Sequence, residues 1–427
     1  MRNLLMIDLD NKKKETFFFI GLLLFSCIHS ITLTLSLVVL TVYSFTNGIS
    51  GCLKSLIFLS VRTILNTAIA APFSSLNQYI KLFLIVICSF YIFFAPKKCN
   101  TVDRINRNNI ILFLVLFCIE MSSGSILNGS YPLTSCFKIF LFGISFSAVT
   151  VAFSCTKDKE QYTQLVTKML MTIVILSIPV YFLPQFMTIN SSFQGMFNHP
   201  NMAGIMFALF LAYFINYDKF NSNYGVILIV TTIILIYFTN SRTGMISAFL
   251  AIILSIPIIR KSDKRYIYIL GGICLLIFII FNHAEIMQMI NDFIFKGHEG
   301  DILYSREGQQ EIFQVKFNAH KLLGSGFAVP FDPDLRDWSF NMSLQNEPGN
   351  IIWAILGDAG IFGIICFALL IGYILISGKN ISMLVVPIVI SFGEMVFFSA
   401  NNMSILLYIL IAAYTFNDDK RKVGYII

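Results

Sequence analysis

The stretch that decides the fold is residues 350–376, NIIWAILGDAGIFGIICFALLIGYILI, in which Asp358 is the one charged residue among 27. A helix needs about 20 consecutive apolar residues to cross roughly 30 Å of hydrocarbon, because each residue advances it only about 1.5 Å. This stretch is long enough, and many others along the chain are similar. It therefore predicts a helix that spans a membrane.

The composition of the whole chain agrees with this prediction. Of the 427 residues, 56% are hydrophobic and 12% are charged, and the mean hydropathy is +0.77. A soluble domain usually carries about 25% charged residues. We therefore predict an all-α, polytopic integral membrane protein and exclude a soluble globular domain.

The apolar stretches predict about twelve spans within a single membrane domain, residues 1–427. They fall near 17–44, 77–95, 109–126, 133–154, 168–186, 200–217, 224–240, 243–259, 266–282, 350–376, 381–398 and 401–416. Two regions are ambiguous. The first is long enough to hide a helical hairpin, and 51–72, interrupted by Lys54 and Arg62, is interpreted as an amphipathic or re-entrant segment on the outer side. Splitting both into spans would give fourteen, with the same end orientation.

The positions of the 30 Lys and Arg residues predict the orientation. Cytoplasmic loops collect basic residues, and a cytoplasmic N-terminus places most of them there, including Lys12, Lys97, Arg260 and Lys420. Both termini are therefore predicted to be cytoplasmic. Orientation also explains the net charge of +7, so no nucleic-acid partner is predicted.

No cofactor or metal is predicted from the sequence. The chain has no Walker loop, nucleophile elbow or paired-His metal spacing, which disfavours an ATP-driven pump. All nine cysteines lie in or beside apolar segments, and the long loop 283–349 contains none. A disulfide framework or a cysteine metal site is therefore not expected in that loop.

Charged residues inside the predicted spans cluster toward one side of the membrane. Glu120, Lys138, Asp358 and Glu394 fall in the outer halves of their spans, and Lys81 and Arg242 lie at outer ends. Each could be an interfacial residue whose head group reaches the lipid surface. Together they predict a site that opens outward.

The large loop 283–349 is predicted to lie on the outer face, and it is too long for a simple connector. Within it, 305–323 carries apolar residues at helical spacing, which predicts a helix lying on the membrane face as a substrate-covering flap. Cations gathered at the outer leaflet suggest a lipid-linked anion as ligand, and arginine engages a diphosphate bidentately.

Three local patterns between about 195 and 363 carry a family resemblance. They are GMFNHPNMAG at 195–204, TNSRTG at 239–244, and a third that includes Ser305 and Arg306, KLLGSGF at 321–327, NEPGN at 346–350 and DAGIFG at 358–363. In this order they resemble the bacterial O-antigen polymerase and O-antigen ligase superfamily, which includes capsular polysaccharide polymerases.

The resemblance implies which residues bind substrate. It assigns Arg242 and Arg306 to the diphosphate of the lipid-linked donor, as catalytic and substrate-binding residues. It also places Asn198, His199 and Asn350 in the substrate-binding set. Two structural alternatives remain open: Asn198 and the following proline can be helix-start residues, and Arg306 can be a surface arginine paired with a nearby glutamate.

The general base is where the chain departs from the family pattern. Many ligases have His immediately before the Asn that opens the next span, and here that position is Gly349 beside Asn350. Glu347 is our catalytic candidate for orienting or deprotonating the acceptor hydroxyl, although it can equally be a solvated loop residue. Other candidates are His199, His298 and His320.

The function implied by the resemblance is a membrane glycosyltransferase of the bacterial cytoplasmic membrane. We expect a polysaccharide polymerase that transfers a glycan from undecaprenyl diphosphate to a lipid-linked repeat unit, for O-antigen, capsule or exopolysaccharide, with inversion and without a metal. Expected partners are the undecaprenyl diphosphate-linked oligosaccharide and membrane lipids, with a chain-length regulator and a flippase as candidates. An O-antigen ligase is the alternative within the class, and a secondary transporter or lipid-linked oligosaccharide flippase is the alternative outside it.

Overall fold

The computed structural model describes residues 2–95, 99–184, 192–217, 222–259, 307–344, 346, 349–378, 380–394, 396–399 and 403–416, with side chains from residue 13 onward. These residues form fifteen helices and no strand, apart from an isolated bridge between Leu65 and Phe197. The helices are α1 (Arg2–Ile28), α2 (Ser30–Thr46), α3 (Gly48–Thr63), α4 (Ser75–Phe94), α5 (Thr101–Asn128), α6 (Pro132–Cys155), α7 (Glu160–Val180), α8 (Pro200–Tyr217), α9 (Asn223–Phe238), α10 (Arg242–Leu254), α11 (Ile256–Ile259), α12 (Glu307–Ala319), α13 (Ile351–Ser377), α14 (Ser382–Gly393) and α15 (Ser404–Phe416).

Five of these helices are long and apolar enough to cross a membrane, namely α4, α5, α6, α7 and α13. Shorter apolar helices accompany them, including α2, α8, α9, α14 and α15. The prediction of an all-α, multi-pass membrane protein is therefore confirmed. The count of twelve spans stays a prediction, and the predicted span 266–282 lies outside the described residues.

The first ambiguous region is a helical hairpin. His29 breaks the apolar run: its Nδ1 accepts a hydrogen bond from Ile31 N at 3.2 Å, and its own backbone N donates to Thr32 Oγ1. Beyond this turn α2 packs back along α1, so that the Tyr43 ring lies 5.1 Å from the Phe19 ring. The alternative of two helices describes this region, and a single span across 17–44 does not.

The second ambiguous region is α3, which lies inside the bundle. Every residue from 51 to 62 is buried, and Lys54 Nζ lies 2.6 Å from Glu15 Oε2. An amphipathic helix on the surface does not fit α3, because its polar side chains find partners inside the protein. The re-entrant alternative stays a prediction. The number of spans, twelve or fourteen, stays a prediction.

One end of the bundle, which we call the site end, gathers the C-terminal ends of α1, α3, α5, α7 and α9 with the starts of α2, α4, α6, α8 and α10. Connections between loops hold it together: Asn198 N donates to Ile64 O at 3.3 Å, and Phe193 N donates to Phe238 O at 2.9 Å. On the predicted orientation this end faces outward.

The opposite end is held by its own contacts. Lys159 Nζ lies 2.7 Å from Asp103 Oδ2 and donates to Phe416 O at 2.6 Å. Cys99 and Cys155 form a disulfide there, outside the loop in which the sequence predicts none.

Aromatic packing joins the helices between the two ends. The α5 ring of Phe117 lies 5.5 Å from Phe367 of α13, and Phe146 of α6 lies 4.8 Å from Tyr408 of α15. Since α5 and α13 run antiparallel, the start of α13 lies at the site end, beside the end of α5.

Candidate functional site

The segment 192–199 leads into α8 and is fixed against the end of α3. Asn198 N donates to Ile64 O at 3.3 Å. The ring of His199 caps α8, because its Nδ1 accepts a hydrogen bond from Asn201 N at 3.2 Å. The helix-start alternative was considered for Asn198 and Pro200. Pro200 is indeed the first residue of α8, but the capping side chain is His199. Both Asn198 and His199 remain exposed at the site end.

The turn between α9 and α10 places Arg242. Asn240 adopts a left-handed conformation with φ 52°, and its Nδ2 donates to Ser192 Oγ at 3.0 Å. Ser241 caps α10, because its Oγ accepts from Gly244 N at 3.1 Å. Arg242 is thus the first residue of α10 and is half-buried. A cation at a helix N-terminus is unfavourable unless an anion is near.

The starts of α8 and α10 touch through two glycines. A Cβ added at Gly244 would lie 2.6 Å from the backbone carbon of Gly204, which is closer than real side chains allow. Both helices begin at the site end, so this contact brings the start of α8, with His199, beside the start of α10, with Arg242. The structure therefore brings together two of the patterns that are far apart in sequence.

The end of α14 completes this group. Asn201 Nδ2 donates to Glu394 Oε1 at 2.9 Å, and a Cβ added at Gly393 would overlap the side chain of Thr243. Arg242 and Glu394 therefore lie on adjoining helix ends. We call this group the polar cluster: Asn198, His199, Asn201, Arg242 and Glu394.

The segment 321–327 docks against the start of α13. Ser325 N donates to Gly357 O at 3.0 Å. Gly360 has φ 67° and interrupts α13, and a Cβ there would overlap the carbonyl oxygen of Leu322. Glycine is needed at this position for both conformation and close approach.

A buried ion pair fastens this docked loop. Lys316 Nζ lies 2.6 Å from Asp358 Oδ1, and both side chains are 2% exposed. The lysine also donates to Gly326 O at 3.0 Å, and the second carboxylate oxygen accepts from Ala328 N at 2.8 Å. With its remaining hydrogen-bonding groups satisfied, a buried pair can hold its geometry despite the cost of desolvation.

The charged residues predicted to form one outward-opening site are divided among separate contacts. Asp358 is used by the ion pair, and Lys138 Nζ donates to the carbonyl oxygens of Ala328 and Leu344 at 2.8 and 2.6 Å. Only Arg242 and Glu394 lie in the polar cluster. The sequence analysis predicted too many residues for one site. It could not reveal that Ala328 and Leu344, both in the loop 283–349, supply the acceptors for Lys138.

The start of α13 lies beside α12. Asn350 is its N-cap, and its Oδ1 accepts from Ile352 N at 2.9 Å. Phe313 of α12 stacks on Trp353 at 6.0 Å between ring centres. The predicted helix within 305–323 is thus observed as α12, which packs on α13.

A cavity of about 730 Å³ opens beside the docked loop, between α4 and α6. Its lining is mainly apolar and aromatic, with Lys138 and Gln78 among the polar exceptions. The aromatic residues are Tyr79, Phe83, Phe137, Phe327, Phe340 and Phe398. It has the size and character of a site for a largely apolar group.

Two of the predicted site residues, Arg306 and Glu347, lie outside the described residues, as does His298. Sequence reasoning missed the hydrogen bond of Asn201 with Glu394, although both residues lie in or beside the segments that it singled out. It also missed the pairing of Lys316 with Asp358, for which the only signal was an aspartate inside an apolar span.

Comparison with protein families supports the resemblance. Residues 227–368 match a family model described as O-antigen ligase, which is about a third of the chain. The matched region includes the Arg242 turn, α12, the docked loop and the start of α13, and it excludes the pattern at 195–204. The predicted relationship to the O-antigen polymerase and ligase superfamily is confirmed for this region. No curated protein and no solved structure matches the chain.

Proposed function

We propose that this protein is a polysaccharide polymerase that transfers a glycan from undecaprenyl diphosphate onto the nonreducing end of another lipid-linked repeat unit. The observation that carries the proposal is the position of Arg242. It starts α10 within the family-matched region, and α8 and α14 add polar groups beside it. A helix start that carries an arginine suits an anion, and the Glu394 carboxylate that α14 adds beside it is hydrogen-bonded by Asn201.

In the proposed reaction, an acceptor hydroxyl oxygen attacks the anomeric carbon of the donor glycan. The bond between that carbon and the diphosphate oxygen breaks, and its electron pair leaves with undecaprenyl diphosphate. Arg242 and Arg306 stabilise the charge that develops on the leaving group. Glu347 accepts the hydroxyl proton, and a single displacement inverts the anomeric centre.

The apolar part of the donor needs a place near the diphosphate but outside the polar cluster. We assign it to the cavity between α4 and α6, whose aromatic lining suits an isoprenoid chain. The cavity borders the docked loop, so donor binding and loop position would be linked.

A polymerase is favoured over a ligase by the residue at position 349. Gly349 N donates to Gln309 Oε1 at 3.1 Å, and a Cβ at this position would lie 2.7 Å from the same oxygen. Many ligases carry a histidine here. In this chain a histidine would push aside the side-chain amide of Gln309, which is a residue of α12. Because the Gln309 side chain is flexible, the packing alone does not exclude a histidine. The polymerase assignment therefore rests on the absence of that histidine from the chain.

The proposal is tested with the full-length protein purified in detergent and supplied with lipid-linked repeat units. Wild type should form polymer, whereas Arg242→Ala and Arg306→Ala should each slow transfer by about 10²- to 10³-fold, the scale for losing one charge-stabilising donor. Arg242→Lys should retain part of the activity, because it keeps the charge and loses the bidentate geometry.

Arg104→Ala is the matched control, since Arg104 also lies in the first turn of a helix but at the opposite end. It should transfer at the wild-type rate. Detergent leaves no second compartment, so polymer formation rules out transport as the source of the signal. A wild-type rate in Arg242→Ala would contradict the polymerase assignment, and so would transfer to lipid A core in preference to a repeat unit when both acceptors are supplied.

A further inference from the structure

In the part of the chain that the structure describes, the first four helices bury two cations without a carboxylate partner. Residues 16–95 contain Lys54, Arg62 and Lys81 and no Asp or Glu. Lys54 is neutralised by Glu15 at 2.6 Å. Arg62 and Lys81, by contrast, are 2% and 1% exposed and lie at the site end.

The partners of these two cations are all neutral. Arg62 donates from Nε to Ser26 Oγ at 3.0 Å, and from its terminal nitrogen to the carbonyl oxygens of Ser26 and Ala71. Lys81 Nζ lies 4.7 Å from the centre of the Phe73 ring, and the Arg62 guanidinium lies 5.1 Å from that same centre. One aromatic ring therefore contacts two cations, and like charges held this near each other repel.

Among the described residues, the helices packed against α3 and α4 supply no negative charge at this end. The sequences of α2, α6 and α15 contain no acidic residue, and α7 has one, Glu160, at the opposite end. In α1, Glu15 is taken by Lys54. Burying a cation without a counter-charge is costly, and a cation–π contact offsets only part of that cost.

Two amides at the site end each have a donor for which the described residues provide no acceptor. Asn66 Oδ1 accepts from Ala68 N at 2.9 Å, which fixes the amide, and its Nδ2 is buried with no hydrogen-bond partner. Asn77, one helical turn before Lys81, accepts from Thr34 Oγ1 at 2.9 Å, and its Nδ2 is likewise buried without a partner. A buried donor left unsatisfied is rare and points to a missing acceptor.

We propose that Arg62, Lys81 and the amide of Asn77 bind a phosphate group at the site end, with Phe73 packed beside it. A phosphate supplies several acceptor oxygens and enough negative charge for two cations. It belongs either to a lipid head group or to free phosphate. None of its residues belongs to the polar cluster around Arg242, so it does not rest on the proposed polymerase activity.

The test uses the purified full-length protein in phosphate-free detergent buffer, with thermal unfolding and calorimetric titration as the two measurements. The probes are inorganic phosphate and dihexanoyl phosphatidic acid, and dihexanoyl phosphatidylcholine is the control lipid. A ligand that binds only the folded state raises the unfolding temperature. We expect wild type to be stabilised by at least one phosphate probe.

Lys81→Met should weaken that binding at least tenfold, and Lys81→Arg should preserve it. Without probe, Lys81→Met should unfold at or above the wild-type temperature, because it removes a buried repulsion, whereas loss of a merely structural lysine would lower it. Lys54→Met is the matched control: it removes a buried lysine from the same helices, and its phosphate response should persist despite lower stability.

Asn77→Asp is a second variant that does not depend on how Lys81→Met folds. It places a carboxylate one turn from Lys81, and so should raise the unfolding temperature and remove the response to phosphate.

The two probes distinguish the sources of the phosphate. A response to phosphatidic acid alone assigns the site to a lipid head group, and a response to inorganic phosphate alone assigns it to the free ion. No response of wild type to either probe, or an unchanged response in Lys81→Met, overturns the proposal.

Discussion

Two regions at the site end each bury a lysine: the docked loop with α12 buries Lys316, and the α3–α4 region buries Lys81. The two lysines differ in the groups that contact their charge. Lys316 has a carboxylate at 2.6 Å and a carbonyl at 3.0 Å, whereas Lys81 contacts an aromatic ring. Both side chains are 2% exposed or less. A buried lysine whose counter-charge comes from the chain holds structure, and one without it calls for a ligand. The comparison therefore separates charges that maintain the fold from charges available for binding.

The largest effect is expected from breaking the ion pair of the docked loop. Asp358→Ala leaves Lys316 buried without a counter-charge, and should lower the free energy of unfolding by about 3–5 kcal/mol. Denaturant unfolding of the purified protein measures this loss. Transfer should fall with it, because the loop and α13 would separate.

The matched control replaces both partners with apolar residues of similar volume, Lys316→Met with Asp358→Leu. Its stability should return to within about 1 kcal/mol of wild type, since isosteric apolar replacement of a buried pair is often neutral. A double variant as unstable as Asp358→Ala would mean that the pair's hydrogen bonds to the loop backbone, rather than charge balance, hold the loop.

Replacing Glu347 should have the opposite effect: it should lower the rate of glycan transfer without lowering the free energy of unfolding. If it deprotonates the acceptor hydroxyl, Glu347→Gln should slow transfer by about 10²-fold, the usual scale for a general base, and preserve donor binding. Transfer with purified lipid-linked substrate and donor-binding titration give the two readouts. Gly349→His is the companion variant, because it supplies the residue that many ligases carry there. Transfer at the wild-type rate in Glu347→Gln would make Glu347 a solvated loop residue.

Gly360 tests whether the docked loop depends on backbone geometry as well as charge. Gly360→Ala must adopt a positive φ and displace the Leu322 carbonyl, so we expect a loss of about 1–3 kcal/mol in stability. Gly372 lies in the same helix, where a Cβ would meet nothing within 4 Å. Gly372→Ala should therefore be neutral or stabilising by up to about 1 kcal/mol. Equal effects of the two substitutions would show that Gly360 is not specially constrained.

The helices were predictable from sequence because lipid leaves few alternatives to a long apolar helix, as α13 illustrates. The hairpin at His29 was only an open alternative, since a single polar residue in an apolar run predicts neither a break nor a cap. The burial of α3 was missed, because its lysine is neutralised by Glu15 from a different helix. Such pairings depend on tertiary contacts that periodicity does not encode.

The candidate site was predictable in part. Local patterns singled out Arg242 and His199, and the packing of Gly204 on Gly244 explains why two distant patterns meet. The partner of Asn201 could not be predicted, because Glu394 lies about 190 residues further along the chain. The role of Asp358 was equally hidden, since an aspartate inside a span indicates a partner without identifying it.

The smallest effect on stability is expected from replacing Arg336. This variant tests whether a cation without a carboxylate partner lowers stability because it is buried or because it lacks that partner. Like Arg62, Arg336 donates to backbone carbonyls, those of Ile126 and Leu127 at 2.5 and 3.4 Å, but it is exposed. Its guanidinium also lies 5.5 Å from the Trp338 ring. Because water solvates this charge, neutral acceptors at the end of α5 suffice, and their partial negative charge favours a cation.

Arg336→Ala should therefore lower the free energy of unfolding by only about 0.5–1 kcal/mol, and added salt should shrink the difference. Unfolding at low and high ionic strength checks both expectations. A loss as large as that of Asp358→Ala would mean that carbonyl contacts alone stabilise a cation strongly, and the carbonyls around Arg62 would then need no anion.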